Sequence, residues 1–166
     1  RKLVEKTGVT MVIIQPDMAE YRDVLRSLLK GSLPNLAIAQ DNLIVKALQD
    51  YAKENRIRYS LDGNNIAHES INFNDGKYIK AVQKKFGEQP LVHTQFLTLT
   101  DRYLKRRHSG VIHLRPLNNM PYDIRSAIHA LEEFCGFQYY GGKHYESILT
   151  RFLQCYYLPT KFGKDK

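Results

Sequence analysis

Two short stretches of this chain combine residue types that could handle a ligand. The first is GGKHYESILTRF at 141–152. Gly141 and Gly142 free the backbone to bend just before an expected helix, and open N–H groups at a helix N-terminus favour anions. Lys143 adds a mobile positive charge. His144, Ser147 and Arg151 fall at i, i+3 and i+7 and so share one helical face, while Ile148, Phe152 and Cys155, with Leu149 and Leu153, are expected to pack into a core. Such a polar face suits a phosphate or a carboxylate. A solvated helix with a glycine hinge meets the same pattern.

The second stretch is Asp62-Gly63-Asn64-Asn65, which follows the expected strand IRYSL at 57–61. Open α/β sheets bind ligands beyond the C-terminal ends of their strands. Gly63 would let a ligand approach the backbone, and the short amides could bond a base, a ribose or a carbonyl. A plain Asp-Gly turn needs the same residues for backbone reasons. His68 and Glu69 follow closely, but a lone His-Glu pair is a weak metal signal, and no metal site is expected. Neither GxxxxGK[ST] nor GxGxxG occurs, so both common phosphate cradles are missing from these residues.

The elements that must position these groups read as follows. Residues 1–8 end a helix at Gly8. TMVIIQ at 10–15 is a short, β-branched apolar run, as expected of a strand buried on both faces. Asp17 can cap a helix in which Met18, Tyr21, Leu25, Leu28 and Leu29 recur at helical spacing until Gly31. A second helix is expected over 41–55, with Leu43, Ile44, Ala47, Leu48 and Tyr51 on its apolar face. Strand, helices and strand in that order predict a parallel crossover. Helices are expected near 78–86, 94–107, 122–135 and 145–158, with a short strand at 111–117. The fold class is α/β: residues 1–75 read as part of a parallel sheet and 76–166 as a mainly helical region of the same domain.

Composition narrows the classes. Of 166 residues, 43% are hydrophobic and 25% charged, which suits a soluble protein with a real core. No apolar run approaches the ~20 residues needed to cross a bilayer, and no signal peptide is visible, although the first residue is Arg1 and not Met. Cys135 and Cys155 lie in apolar helical stretches at no metal-ligand spacing, and are expected to be buried, reduced thiols of a cytoplasmic protein. The net charge of +8 fits a nucleic acid, a nucleotide or an anionic sugar equally. The densest basic run, KRRH at 105–108, closes an expected helix, where cations complement the dipole.

YGGKHYESILTRFLQCYYLPTKFGKDK at 140–166 closely resembles the C-terminal signature of bacterial N-acetyl sugar amidotransferases. QDNLIVKAL, RYSLDGNNIAHES and KYIKAVQKKFG resemble earlier family segments in the same order, and the resemblance covers nearly the whole chain. It implies a pyrophosphatase-loop (PP-loop), Rossmann-like fold that binds ATP with Mg²⁺. The implied activity converts the acetamido group of a nucleotide-linked N-acetyl sugar to an acetamidino group, in O-antigen or flagellin-glycan biosynthesis. Ammonia would come from glutaminase and ammonia-channelling synthase subunits. The resemblance assigns Gly63, Asn64 and Asn65 to the nucleotide. It gives Lys143, His144 and Arg151 a catalytic role, and Asp41, Gly141, Gly142 and Glu146 a role in substrate binding.

The sequence departs from the family in two places. The phosphate loop SGGxDS does not occur in these residues, and the stretch between His68 and Lys77 is shorter than the family's, which carries a Trp-containing loop. The chain is therefore expected to be part of a longer enzyme and inactive towards ATP alone, with an apolar sheet edge that favours homo-oligomers. Two alternatives stay open: a basic RNA-binding domain, including a tRNA-modifying relative of the same fold, and a non-catalytic sugar-nucleotide-binding remnant. Against the first, aromatic residues do not interleave with Lys and Arg as in known nucleic-acid modules.

Overall fold

The computed structural model describes residues 2–64, 75–108, 111–141 and 147–164, with the backbone alone for 102 and 105–108. The chain is mixed α/β and mostly helical. In order it forms α1 (Lys2–Thr7), α2 (Met18–Lys30), α3 (Ile38–Glu54), β1 (Tyr59–Leu61), α4 (Gly76–Phe86), α5 (Leu99–His108) and β2 (Ile112–Leu114). After a 3-10 turn at Pro116–Asn118 come α6 (Ile124–Cys135), α7 (Ile148–Phe152), a π turn (Leu153–Tyr157) and α8 (Leu158–Phe162). Contacts divide it into two units, one of 14–119 and one of 1–13 with 120–166. Among the described residues no helix is long and apolar enough to cross a membrane.

In the unit of 14–119, Asp17 starts α2 by accepting from the N–H groups of Ala19 (2.9 Å) and Glu20 (3.0 Å). The helix buries Glu20, Asp23, Val24, Ser27 and Leu28. That face is rotated from the expected apolar row: Met18 is exposed, and Tyr21, Leu25 and Leu29 are half-buried. α2 packs against α4, and Val24, Leu28 and Ile79 on these helices are fully buried. Truncating Leu28 to Ala would cost about 2–5 kcal/mol.

Polar residues enter the core because an irregular segment does too. Backbone groups away from water must be paired, and between 88 and 97 the partners are side chains of the surrounding helices. Glu20 accepts from the N–H groups of Val92 (2.7 Å), His93 (2.9 Å) and Thr94 (2.6 Å). Asp23 accepts from Glu88 N–H (2.9 Å) and from the Gln83 amide (2.7 Å), which also donates to the Gln89 carbonyl (2.6 Å). Asn42 makes both bonds to Leu97, donating to its carbonyl at 2.9 Å and accepting from its N–H at 2.8 Å. Gly76 then permits close approach: a Cβ there would sit 2.6 Å from the Leu97 oxygen.

The sheet is a parallel pair, with Tyr59 opposite Ile112, Ser60 opposite His113 and Leu61 opposite Leu114. The parallel connection expected between 10–15 and 57–61 is instead the one from β1 to β2 through α4 and α5. Residues 10–15 form no strand, and Met11, Val12, Ile13 and Ile14 are exposed, not buried on both faces. A β-branched run becomes a strand only where a neighbour takes its N–H and C=O groups. Among the described residues β1 has that neighbour in β2 alone.

In the unit of 1–13 and 120–166, Asp123 caps α6 through the N–H and hydroxyl of Ser126 (both 2.8 Å), and Gly136, at φ +62°, ends it. Lys2 donates to the Gly136 carbonyl at 3.2 Å and so ties α1 to that end. Beyond it, Leu153 and Tyr157 are buried in the π turn. Of the expected apolar face, Leu153 is buried and Leu149 half-buried, whereas Ile148 is 85% exposed and Phe152 and Cys155 are exposed. The π turn shifts the register between 152 and 158 and turns Tyr157, outside the expected row, inward. Cys135 is half-buried, so neither thiol has the burial expected of it.

Burial alone pushes the Glu20 carboxyl up, but the His93 N–H, the Thr94 side chain and the N–H groups of Val92 and Thr94 outweigh it and bring it from an ordinary 4.5 to about 2. The folded pKa lies below the unfolded one, so this stabilisation is complete above about 4.5 and disappears as pH falls towards about 2. Glu20→Gln should lower the unfolding free energy at neutral pH by roughly 2–3 kcal/mol, since an amide donor would face N–H donors. It should also flatten the acid limb of stability against pH. Urea unfolding of both proteins from pH 2 to 7 checks the two effects.

Candidate functional site

The turn after β1 stands where the parallel pair ends. Asp62 N–H donates to the Leu114 carbonyl at 2.9 Å, extending the ladder by one bond. Its carboxylate closes a local turn by accepting from Asn64 N–H at 3.0 Å, and accepts from Arg115 Nε at 3.0 Å. Burial pushes the Asp62 carboxyl up, but the backbone and side chain of Asn64 and the guanidinium of Arg115 together hold it below the ordinary carboxylate value. Gly63 is exposed, and a Cβ added to it would meet nothing within 4 Å. The turn is thus anchored at Asp62 and open at Gly63. Asn65 lies outside the described residues.

Arg115 is the residue that sequence reading missed. Its side chain is 51% exposed, and it directly follows β2 as Asp62 directly follows β1. The signal was a cation one position past a strand, which has meaning only once the two strands are known to be parallel neighbours.

A cleft of about 940 Å³ opens in the same unit, walled by 14–18, α2, α3 and 93–95. Met18, Tyr21, Leu43, Ile44 and Tyr51 give it an apolar side, and Gln40, Lys46, Asp50, Glu54, His93 and Gln95 a polar one. Leu43, Ile44, Ala47 and Tyr51, expected to face a core, line this cleft instead, and Leu48 is 60% exposed. Asp41 is exposed in the first turn of α3, which begins at Ile38, ahead of the expected 41. Burial first, and the charge of Asp41 second, push the Tyr21 phenol up.

Asp17, Glu20 and His93 bring ligand-type atoms within 4.8 Å of one another. Both Glu20 oxygens already accept backbone N–H groups, and so does an oxygen of Asp17. Mg²⁺ demands near-octahedral oxygen ligation. One carboxylate with both oxygens engaged, one with a single oxygen engaged and an imidazole do not supply that oxygen set.

In the other unit Gly141 adopts φ +84°, a conformation that favours glycine. α7 begins only at Ile148, with Ser147 as its N-cap accepting from Thr150 N–H at 3.3 Å. The glycines therefore do not stand immediately before α7; Ser147 caps it, and its carbonyl accepts from the Arg151 N–H at 2.9 Å, so these two stand one turn apart. Arg151 itself is exposed on α7. Gly142, Lys143, His144 and Glu146 lie outside the described residues.

No protein-family model matches the chain, and no curated protein or solved structure does.

Arg115→Ala should free the strand-end turn without unfolding the unit, because a half-exposed ion pair contributes about 1 kcal/mol or less. Hydrogen exchange of the Asn64 and Asp62 amides should quicken while those of α2 and α4 keep their protection.

Proposed function

We propose that this chain is the C-terminal part of an ATP-dependent N-acetyl sugar amidotransferase of bacterial surface-polysaccharide synthesis. The observation that supports this reading is the Asp62–Asn64 turn, set at the C-terminal end of a parallel strand pair with Gly63 open. Ligands of open α/β sheets bind at that end. The finer fold reading, a PP-loop nucleotide-binding sheet, rests on the resemblance of 140–166 and the earlier segments.

In this reading the turn approaches the nucleotide. The Gly63 backbone gives it room, and the ionised Asp62 carboxylate, held by Arg115, keeps the Asn64 amide presented. ATP supplies the leaving group: an O–P bond forms to the acetamido oxygen and pyrophosphate departs. Ammonia then forms the C–N bond, the C–O bond breaks, and AMP leaves with the former amide oxygen. Lys143, His144 and Arg151 are assigned to charge on the phosphate and sugar, with Gly141, Gly142 and Glu146 at the sugar. Such a reaction depends on positioning and on stabilising charge where it develops.

Asp41 is assigned to substrate, and its charge acts on Tyr21 of the cleft wall. The substrate is a nucleotide-linked N-acetyl sugar, and glutaminase and synthase subunits supply the ammonia. Nucleotide-linked sugars place the reaction in the cytoplasm. Mg²⁺ accompanies ATP in this chemistry, and the Asp17–Glu20–His93 group is not assigned to it.

In a polypeptide that joins these residues to an SGGxDS loop, Arg151→Ala should stop amidine formation, read by mass spectrometry as replacement of the amide oxygen by NH. The melting temperature should not move, because Arg151 is exposed. Gly63→Val should likewise lower turnover at least tenfold with an unchanged melt, since no neighbour within 4 Å opposes a Cβ there. Full activity in both variants would remove these residues from the site.

A further inference from the structure

A second cleft, of about 550 Å³, adjoins the first and is lined by α3, α4, 91–98 and the first turn of α5. Its charged groups are Lys46, Lys80, Lys84 and Asp101, three ammonium groups against one carboxylate. Lys80 and Lys84 stand at i and i+4 on the exposed side of α4, so their side chains are neighbours. Lys46 comes from α3 and is only 18% exposed. The one carboxylate among them, Asp101, accepts from the Thr98 N–H (3.1 Å) and hydroxyl (2.9 Å) and so closes the start of α5. Lys46 is paired with Asp50, one turn along α3, which leaves Lys80 and Lys84 as the principal cations.

We propose that this cleft binds a diphosphate group. Lys80 and Lys84, with the paired Lys46 at the wall, outnumber the one lining carboxylate and leave a net positive concavity that suits a small polyanion. The volume lies within the range of small-ligand sites, and Gln95 and Thr98 add polar atoms at the wall. Lys46, Thr94 and Gln95 line both clefts. A molecule with its diphosphate at Lys80 and Lys84 could therefore extend an organic portion past this shared wall, towards Tyr21 and Tyr51. The inference stands on the lysine cleft and does not depend on the strand-end turn.

The test is titration of the 166-residue chain with inorganic pyrophosphate, followed by amide shifts of 94–98 and by calorimetry. Saturable binding should appear, and should weaken at least tenfold in K80Q/K84Q with an unchanged melting temperature. Parallel titrations with ADP and with a uridine-diphosphate N-acetyl sugar separate the sources: tighter binding than pyrophosphate, with added shifts at Tyr21 and Tyr51, means the organic portion is recognised as well. Equal affinity for all three means that the diphosphate alone is. No saturable binding by wild type, or binding unchanged in K80Q/K84Q, would overturn the proposal. So would a preference for single-stranded RNA whose affinity grows with length, the mark of a diffuse basic surface.

Discussion

The buried carboxylate of Glu20, with Asp23 and Asn42, is the constraint on which the 14–119 unit depends. These side chains hold a segment with no regular structure, 88–97, by supplying partners to its backbone N–H and C=O groups. Burial disfavours a charged carboxylate, so Glu20 stays ionised only because several donors converge on it. Losing it would leave those donors unpaired in the interior, and each such group costs about 1–3 kcal/mol. The same segment supplies Thr94 and Gln95 to the walls of both clefts. A buried carboxylate thus fixes residues on the walls of both clefts.

Legibility in the sequence followed the range of the interactions. Caps are local, and Asp17 and Gly31 were readable as the ends of α2 because their partners are a few residues away. The strand at 57–61 was readable in type, although only Tyr59–Leu61 pairs. The face of α2 was not, because Glu20, Asp23 and Ser27 count as polar in any periodicity. The partners of Glu20 and Asp23 at 83–94 lie 60 to 74 positions further along. The run at 10–15 failed for a related reason: its residue types favour a strand, but a strand needs a neighbour.

The candidate residues divide in the same way. Gly63 and Asn64 were placed correctly at the end of a parallel strand, since the turn is encoded by its own residues. Arg115 could not be found beside them, because its partner Asp62 is 53 positions away. The basic cleft was hidden differently. Lys80 and Lys84 stand on the exposed side of a helix, and only α3 and 91–98 turn that side into a concavity. In the other unit, α7 starts only at Ile148 and the π turn at Leu153–Tyr157 shifts the register beyond it, which no single helical period anticipates.

The central claim is that the strand-end turn is a nucleotide site, and AMP titrated into ¹⁵N-labelled chain tests it most directly. The account predicts saturable shifts concentrated at the Gly63 and Asn64 amides and the Arg115 side chain, with α6 unaffected. Shifts absent from these positions at millimolar AMP, or spread evenly over the exposed lysines, would contradict it.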